Sequence, residues 1–177
     1  MKKLLLAILL ITSSVSMSFS QATMNTMNTR AKFKSLFIYN FTKLTEWPES
    51  YKQGDFIIGV VNDVDLAEQL ELAAKTKKIN SQNVVIKKIN STADVSKCHV
   101  LYVSGSTAGE VDPFIKKAKD FNCLIITEGK GLAENTSAIN FVIVGSAIQF
   151  EMNKSLFESK QLIVGNSLEK LATKVIN

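Results

Sequence analysis

The residue pattern predicts an α/β Rossmann-like three-layer sandwich, with a mainly parallel sheet and an antiparallel hairpin near the C-terminal half. Three observations lead there. Short apolar runs bounded by Gly, Asn or Asp alternate with stretches of helical periodicity. The order strand, helix, strand occurs twice, as in βαβ units, whose crossovers are nearly always right-handed. A later stretch switches to strict alternation on both sides of Gly145-Ser146, which reads as a two-residue hairpin with Gly at its first turn position.

Each element follows from its own residues. At 100° per residue Phe33, Leu36, Phe37, Asn40, Phe41 and Leu44 share one face of an amphipathic helix that stops at Trp47-Pro48, with Ser35 and Thr42 opposite and Lys34 and Lys43 at the flanks. Asn40 lies inside that apolar stripe, so burial is expected to give it hydrogen-bonding partners in a facing loop. Phe56–Val61 reads as a buried strand, bounded by Gly54-Asp55 and Asn62-Asp63. Leu66, Leu70, Ala73 and Ala74 recur at helical spacing, and 84–89 is the next strand. The second unit comprises a strand at 99–103, a helix at 113–120 and a strand at 124–127. In the hairpin Ile139, Phe141 and Ile143 alternate with polar or smaller neighbours, then Ile148, Phe150 and Met152 do the same. A last strand at 162–164 precedes a helix capped by Asn166 and Glu169, with Leu168, Leu171, Ala172 and Val175 as its core face.

Composition narrows the class. Lys2, Lys3, the apolar run 4–11 and the small residues ending at Ser20 form the pattern of a secretory leader, 1–20. Residues 21–29 read as a flexible arm and 30–177 as one α/β domain. Eight apolar residues are far short of the roughly 20 that a membrane-spanning helix needs, so no integral membrane segment is expected. The net charge of +5 falls to +3 without Lys2 and Lys3 and is dispersed, which argues against nucleic acid as a partner.

Catalytic and metal chemistry find little material. The single histidine, His99, stands at the start of a strand, the end opposite to the usual ligand site of α/β folds. Two cysteines and one histidine leave a tetrahedral metal site short of a ligand, and no metal or cofactor is expected. Ser104 and Ser106 follow a strand, but no Gly-x-Ser-x-Gly elbow exists, and the chain reads as a non-enzyme. The loop 104–109 lacks the Lys-Ser/Thr ending of a phosphate-binding loop. Asn62-Asp63-Val64-Asp65 reads as a helix cap in preference to an ion site. The loops 105–109 and 127–131 leave room for an alternative, a cleft that binds a small molecule. Cys98 and Cys123 each precede an apolar strand. If those strands are neighbours, the two thiols stand within reach of a disulfide in an oxidising compartment. Ile38, Tyr39 and Trp47, on or beside the polar side of the first helix, are candidate aromatic and apolar anchors for a protein partner.

The stretch from Lys34 through Tyr39-Asn40-Phe41 to Glu46-Trp47-Pro48 resembles the opening of the YfiR family of secreted bacterial proteins. The likeness continues through 56–60, 98–103, the turn 127–132, Ile139-Asn140-Phe141, Phe150-Glu151-Met152-Asn153 and 162–167, and so spans about residues 31–172. The resemblance implies a periplasmic regulatory protein, often a homodimer, that binds the extracytoplasmic domain of an inner-membrane signalling protein. That partner would be a diguanylate cyclase, with control of cyclic di-GMP and biofilm formation, or a sensor kinase. Phe150, Glu151 and Asn153 match the family's Phe-Glu-x-Asn motif, and Phe157 and Leu162 match the segment after it. By the same resemblance these five residues are candidates for the partner-facing surface. Gly165-Asn166-Ser167 stands where the family often has Ser-Ser.

Overall fold

The computed structural model describes residues 26–177. The leader expected over 1–20 and the first part of the arm lie outside the described residues. The chain runs through α1 (26–43), β1 (Thr45–Glu46), β2 (Phe56–Val61), α2 (Val64–Ala74), β3 (Lys78–Ile79), β4 (Gln82–Ile89) and β5 (Val100–Ser104). It continues with α3 (Ala108–Lys117), β6 (Leu124–Glu128), β7 (Ile139–Val144), β8 (Ala147–Asn153), α4 (Lys154–Ser159), β9 (Ile163–Val164), α5 (Asn166–Glu169) and β10 (Lys174–Ile176).

Eight strands form one sheet in the order β10-β8-β7-β6-β5-β2-β4-β3. The neighbours from β4 to β7 are parallel, as are β8 and β10, whereas β7 and β8 form the expected antiparallel hairpin. Val144 pairs with Ala147 across that turn, and Gly145 takes φ +63°, which a side chain would strain. Alternate strand residues feed two cores. Val100, Tyr102, Leu124, Ile126, Phe141 and Phe150 face α1 and α2. Leu101, Val103, Cys123 and Ile125 face α3 with Val111 and Ala118. The α/β sandwich read from the sequence is therefore the architecture observed.

The first helix departs from its expected orientation by nearly half a turn. Ala31, Lys34, Ser35, Ile38, Tyr39, Phe41 and Thr42 are buried, while Phe33 and Leu36 are 54% and 41% exposed and Asn40 faces solvent. Asn40 thus has no structural role as a buried amide. The polar residues are tolerated inside because each finds a partner: Ser35 Oγ donates to the Lys32 carbonyl, Thr42 Oγ1 to that of Tyr39, and Lys34 reaches carboxylates from two strand ends. Phe37 still packs edge-on against Phe141 and Phe150, and Phe41 edge-on against Phe150. Residues 26–29, expected as arm, belong to this helix.

Three other segments differ from expectation. Helix α3 starts at Ala108 and holds Pro113 inside it; the carbonyl that the missing N–H leaves free is that of Gly109, in an exposed first turn. The strand at Ile163–Val164 pairs with β1 outside the main sheet. The last helix ends at Glu169, and its N-cap is Gly165 in place of Asn166. Thr173 then donates its N–H and its hydroxyl to the Phe150 carbonyl, and 174–176 adds to the open edge of β8 as β10. Edge pairing and β-branched residues outweigh the weak helical spacing there, and Leu171 is left 64% exposed.

Candidate functional site

The carboxyl ends of β2, β5 and β6 meet the inner face of α1. Lys34, one turn before Ile38 on that face, carries its Nζ to Asp63 Oδ2 at 2.6 Å, Glu128 Oε2 at 2.8 Å and Tyr102 Oη at 3.0 Å. Tyr102 donates its hydroxyl to Glu128 Oε2 at 2.7 Å, with Asp63 Oδ2 at 3.2 Å. Asp63 also caps α2, its Oδ1 accepting from the Leu66 N–H at 2.9 Å. The lysine side chain is 9% exposed, Asp63 14% and Glu128 26%. Burial, and then the two carboxylates, push the Tyr102 hydroxyl well above its ordinary range, so it stays protonated and acts as a donor.

A cavity of about 530 Å³ opens above this cluster, bordered by Asn62, Asp65, Ser104, Gly105, Ser106 and the α1 residues Met27 and Arg30. Its place is the topological switch point. From β2 the chain passes to β4 on one side and then crosses to β5 on the other, so the connections leave the β2 and β5 ends in opposite directions. The loop 105–109 and Glu128 from 127–131 border it, in keeping with the cleft alternative. Asp63 is the cap that its sequence context predicts, whereas Lys34, Tyr102 and Glu128 stand out in no motif. The only local sign of the cluster is a lysine recurring at i, i+4 with buried positions.

The residues expected at a partner surface lie elsewhere. Ile38, Tyr39, Trp47, Phe157 and Leu162 are buried in the α1 side core. Trp47 Nε1 donates to the His99 carbonyl at 3.2 Å, and its ring stands edge-on to Phe56. Asn153 is buried too: its Oδ1 accepts from Ser155 Oγ and the Leu156 N–H, and its Nδ2 donates to the carbonyls of Ala133 and Glu134. Exposed anchoring is therefore not available to these six side chains in this fold. Glu151 keeps partial exposure, on the face away from Phe150 and Met152 as the alternation predicts. Its Oε2 accepts from Asn140 Nδ2 at 3.0 Å, and Asn140 in turn binds Thr127 and both backbone groups of Gly129. Glu151 is thus tied to a buried polar network.

Solvent instead meets an apolar strip that the sequence assigned to the core. Phe33, Phe37, Ala147 and Ile148 line a groove between the outer face of α1 and the hairpin, and Leu36, Ile143 and Val144 are exposed on the same elements. At the other end of the sheet Cys98 and Cys123 precede neighbouring strands, as expected, and their sulfurs lie 3.3 Å apart as buried free thiols. His99 beside them is structural: Nδ1 accepts from the Ile57 N–H at 3.0 Å and Nε2 donates to the Tyr51 carbonyl at 2.7 Å. Among the described residues no helix is long and apolar enough to cross a membrane, and no group of three or more His, Cys, Asp or Glu side chains is placed to hold a metal ion.

Comparison with known proteins adds a family. The YfiR/HmsC-like family model matches residues 31–173, all of the chain from the second turn of the described α1 to the approach to β10. No curated protein matches. Among solved structures, a conserved domain protein from Vibrio cholerae O1 biovar El Tor shares the fold, with a TM-score of 0.51, 18% identity, and coverage of 68% of this chain and 54% of that one. A second is described as the ABC domain from Streptococcus pneumonia in complex with L-Trp, with a TM-score of 0.48, 14% identity, and coverage of 68% and 56%. The chain spans about half the length of these solved structures.

Proposed function

The chain belongs to the YfiR/HmsC-like family of periplasmic regulators of cyclic di-GMP signalling, and from that premise we propose that it binds and restrains the extracytoplasmic part of a membrane signalling protein. A diguanylate cyclase is the first choice of partner and a sensor kinase the second. The family consists of regulators and not of enzymes. A homodimer is part of this reading.

The observation that carries the contact surface is the exposed apolar groove between α1 and the β7-β8 hairpin. Phe33 is 54% exposed and Val144 56%, side chains that water solvates poorly and that a partner would cover. In this reading Ile38, Tyr39, Trp47, Asn153, Phe157 and Leu162 hold the surface in shape from inside, and Glu151 supports it through Asn140. Phe33→Ala removes the aromatic anchor from the groove without touching the core. The expected result is an unchanged thermal melt and a roughly thirty- to hundred-fold loss of affinity for the membrane fraction, since truncating a central aromatic anchor costs about 2 to 3 kcal/mol. Full co-purification of a folded Phe33→Ala variant with its membrane partner sinks this surface.

A further inference from the structure

We propose that the cavity at the amino ends of β2, β4 and β5 binds a neutral polyhydroxylated ligand, a monosaccharide or sugar alcohol, received by the Thr45 hydroxyl and the Gln82 side-chain carbonyl. The space lies where β1 and the β3-β4 turn stand over the strand starts at Phe56, Gln82 and His99. At about 520 Å³ it falls within the ~300–1,000 Å³ of small-molecule sites. It shares no lining residue with the groove of the partner contact, so the two sites stand independently.

Two side chains of the wall are more than nine-tenths buried and still hold an uncommitted polar atom. Thr45, 4% exposed, has a hydroxyl with no hydrogen-bond partner among the described residues. Gln82, 6% exposed, turns its Nε2 to the carbonyls of Tyr51 at 3.1 Å and Gly54 at 3.2 Å, and its Oε1 has no partner among them. Unpaired buried polar groups are costly, and a ligand hydroxyl, donor and acceptor at once, satisfies either atom. The floor between them is fixed. The Tyr51 carbonyl accepts from His99 Nε2 at 2.7 Å as well as from Gln82, and Trp47 Nε1 donates to the His99 carbonyl at 3.2 Å. Trp47 and Phe56, edge to face at 5.1 Å, supply apolar ring surface for C–H groups.

The charges select no ion. On the rim Lys43 and Glu46 contribute one charge of each sign, and Lys52 is paired with Glu49. Asn80 and Ser81, exposed in the β3-β4 turn, add an amide and a hydroxyl. Hydroxyl, amide and ring with no net charge match a sugar, and neither an ion nor a hydrocarbon.

Thermal shift and calorimetry on the purified protein test this with glucose, galactose, mannose and sorbitol as probes. Gluconate and N-methylglucamine are the anionic and cationic counterparts, and indole the apolar one. At least one of the four neutral probes should raise Tm saturably and bind one-to-one with Kd below about 1 mM. The counterparts should bind at least ten-fold more weakly. Thr45→Val keeps the side-chain shape and removes the unpaired hydroxyl, so it should leave the ligand-free Tm unchanged or higher and weaken binding at least ten-fold. Ser81→Ala, in an exposed turn, should weaken it too. No heat and no shift in Tm with any of the four probes overturns the proposal. So does full affinity in a normally melting Thr45→Val, or tighter binding of either charged counterpart or of indole. If Thr45→Val melts early, unchanged affinity in Ser81→Ala overturns it instead. Phe33→Ala should bind the probe normally, and failure of the membrane contact leaves these measurements intact.

Discussion

At the scale of single residues, two buried polar groups give opposite tests of satisfaction. Tyr39 lies at 2% exposure with a hydroxyl that has no hydrogen-bond partner among the described residues, and burial pushes its pKa up to about 12. An unmade bond costs more than a made one returns, so Tyr39→Phe should raise stability by about 1 kcal/mol in urea unfolding. A loss of stability instead would mean that the hydroxyl is bonded. His99 is the converse, with both ring nitrogens occupied and the ring stacked on Phe56 at 4.2 Å. Because Nδ1 accepts an N–H, the ring must be neutral; burial first, and Lys97 after it, lower its pKa below 6.5 despite the bond to Tyr51. The unfolded chain therefore binds the proton first as pH falls. Stability contributed by the neutral ring is full above about pH 6.5 and drains as pH drops towards the folded value. Thermal melts from pH 7.5 to 5 should show a steeper fall in Tm for the wild type than for His99→Gln, and parallel curves would refute the assignment.

At the scale of elements, what was legible depended on how local the deciding interaction was. Phe56–Val61, Val64–Ala74 and the hairpin were readable because strand burial, helical spacing and a Gly at positive φ are written within a few residues. The face of α1 was not. Counting apolar side chains selects the stripe through Phe33, Leu36 and Asn40, yet the buried stripe runs through Lys34, Ser35 and Thr42. What reverses the choice is a pair of carboxylates, 29 and 94 residues from Lys34 in sequence, which meet it only after the sheet forms. The candidate cavity was half legible for the same reason: the loops that border it follow from strand order, whereas its lysine, tyrosine and glutamate come together only in three dimensions. The C-terminal segment failed differently. Leu168, Leu171 and Val175 do have helical spacing, but the free edge of β8 offers 174–176 a ladder that a short, unanchored helix cannot match.

At the scale of the whole molecule, one sheet separates two cores, and its two ends differ in what they can do. The carboxyl ends open into the cavity, with α1 presenting Lys34 inward and Phe33 outward. At the opposite end a cavity of about 520 Å³ opens beside Trp47, Phe56 and His99, and next to it Cys98 and Cys123 sit in the α3 side core at 2% and 0% exposure with sulfurs 3.3 Å apart. Non-bonded sulfurs at that separation must approach by about 1.2 Å to bridge, and the attacking species is the thiolate, which burial disfavours by raising the Cys123 pKa well above its usual value. Reaction in the reduced protein accordingly requires the core of Leu101, Val111, Ala118 and Ile125 to open, which is a property of the whole fold and not of a loop. Labelling of the reduced protein by a thiol reagent should be slow in native buffer and should accelerate with urea in step with the unfolded fraction, both thiols reacting together. A bridge made while the chain folds in an oxidising compartment should, by loop closure, raise the stability of the oxidised protein by roughly 3 to 4 kcal/mol. Rapid native labelling that is indifferent to urea would show that the strand starts open locally, and an oxidised form that melts below the reduced one would show that closing the 3.3 Å gap strains the sheet more than the loop closure stabilises it.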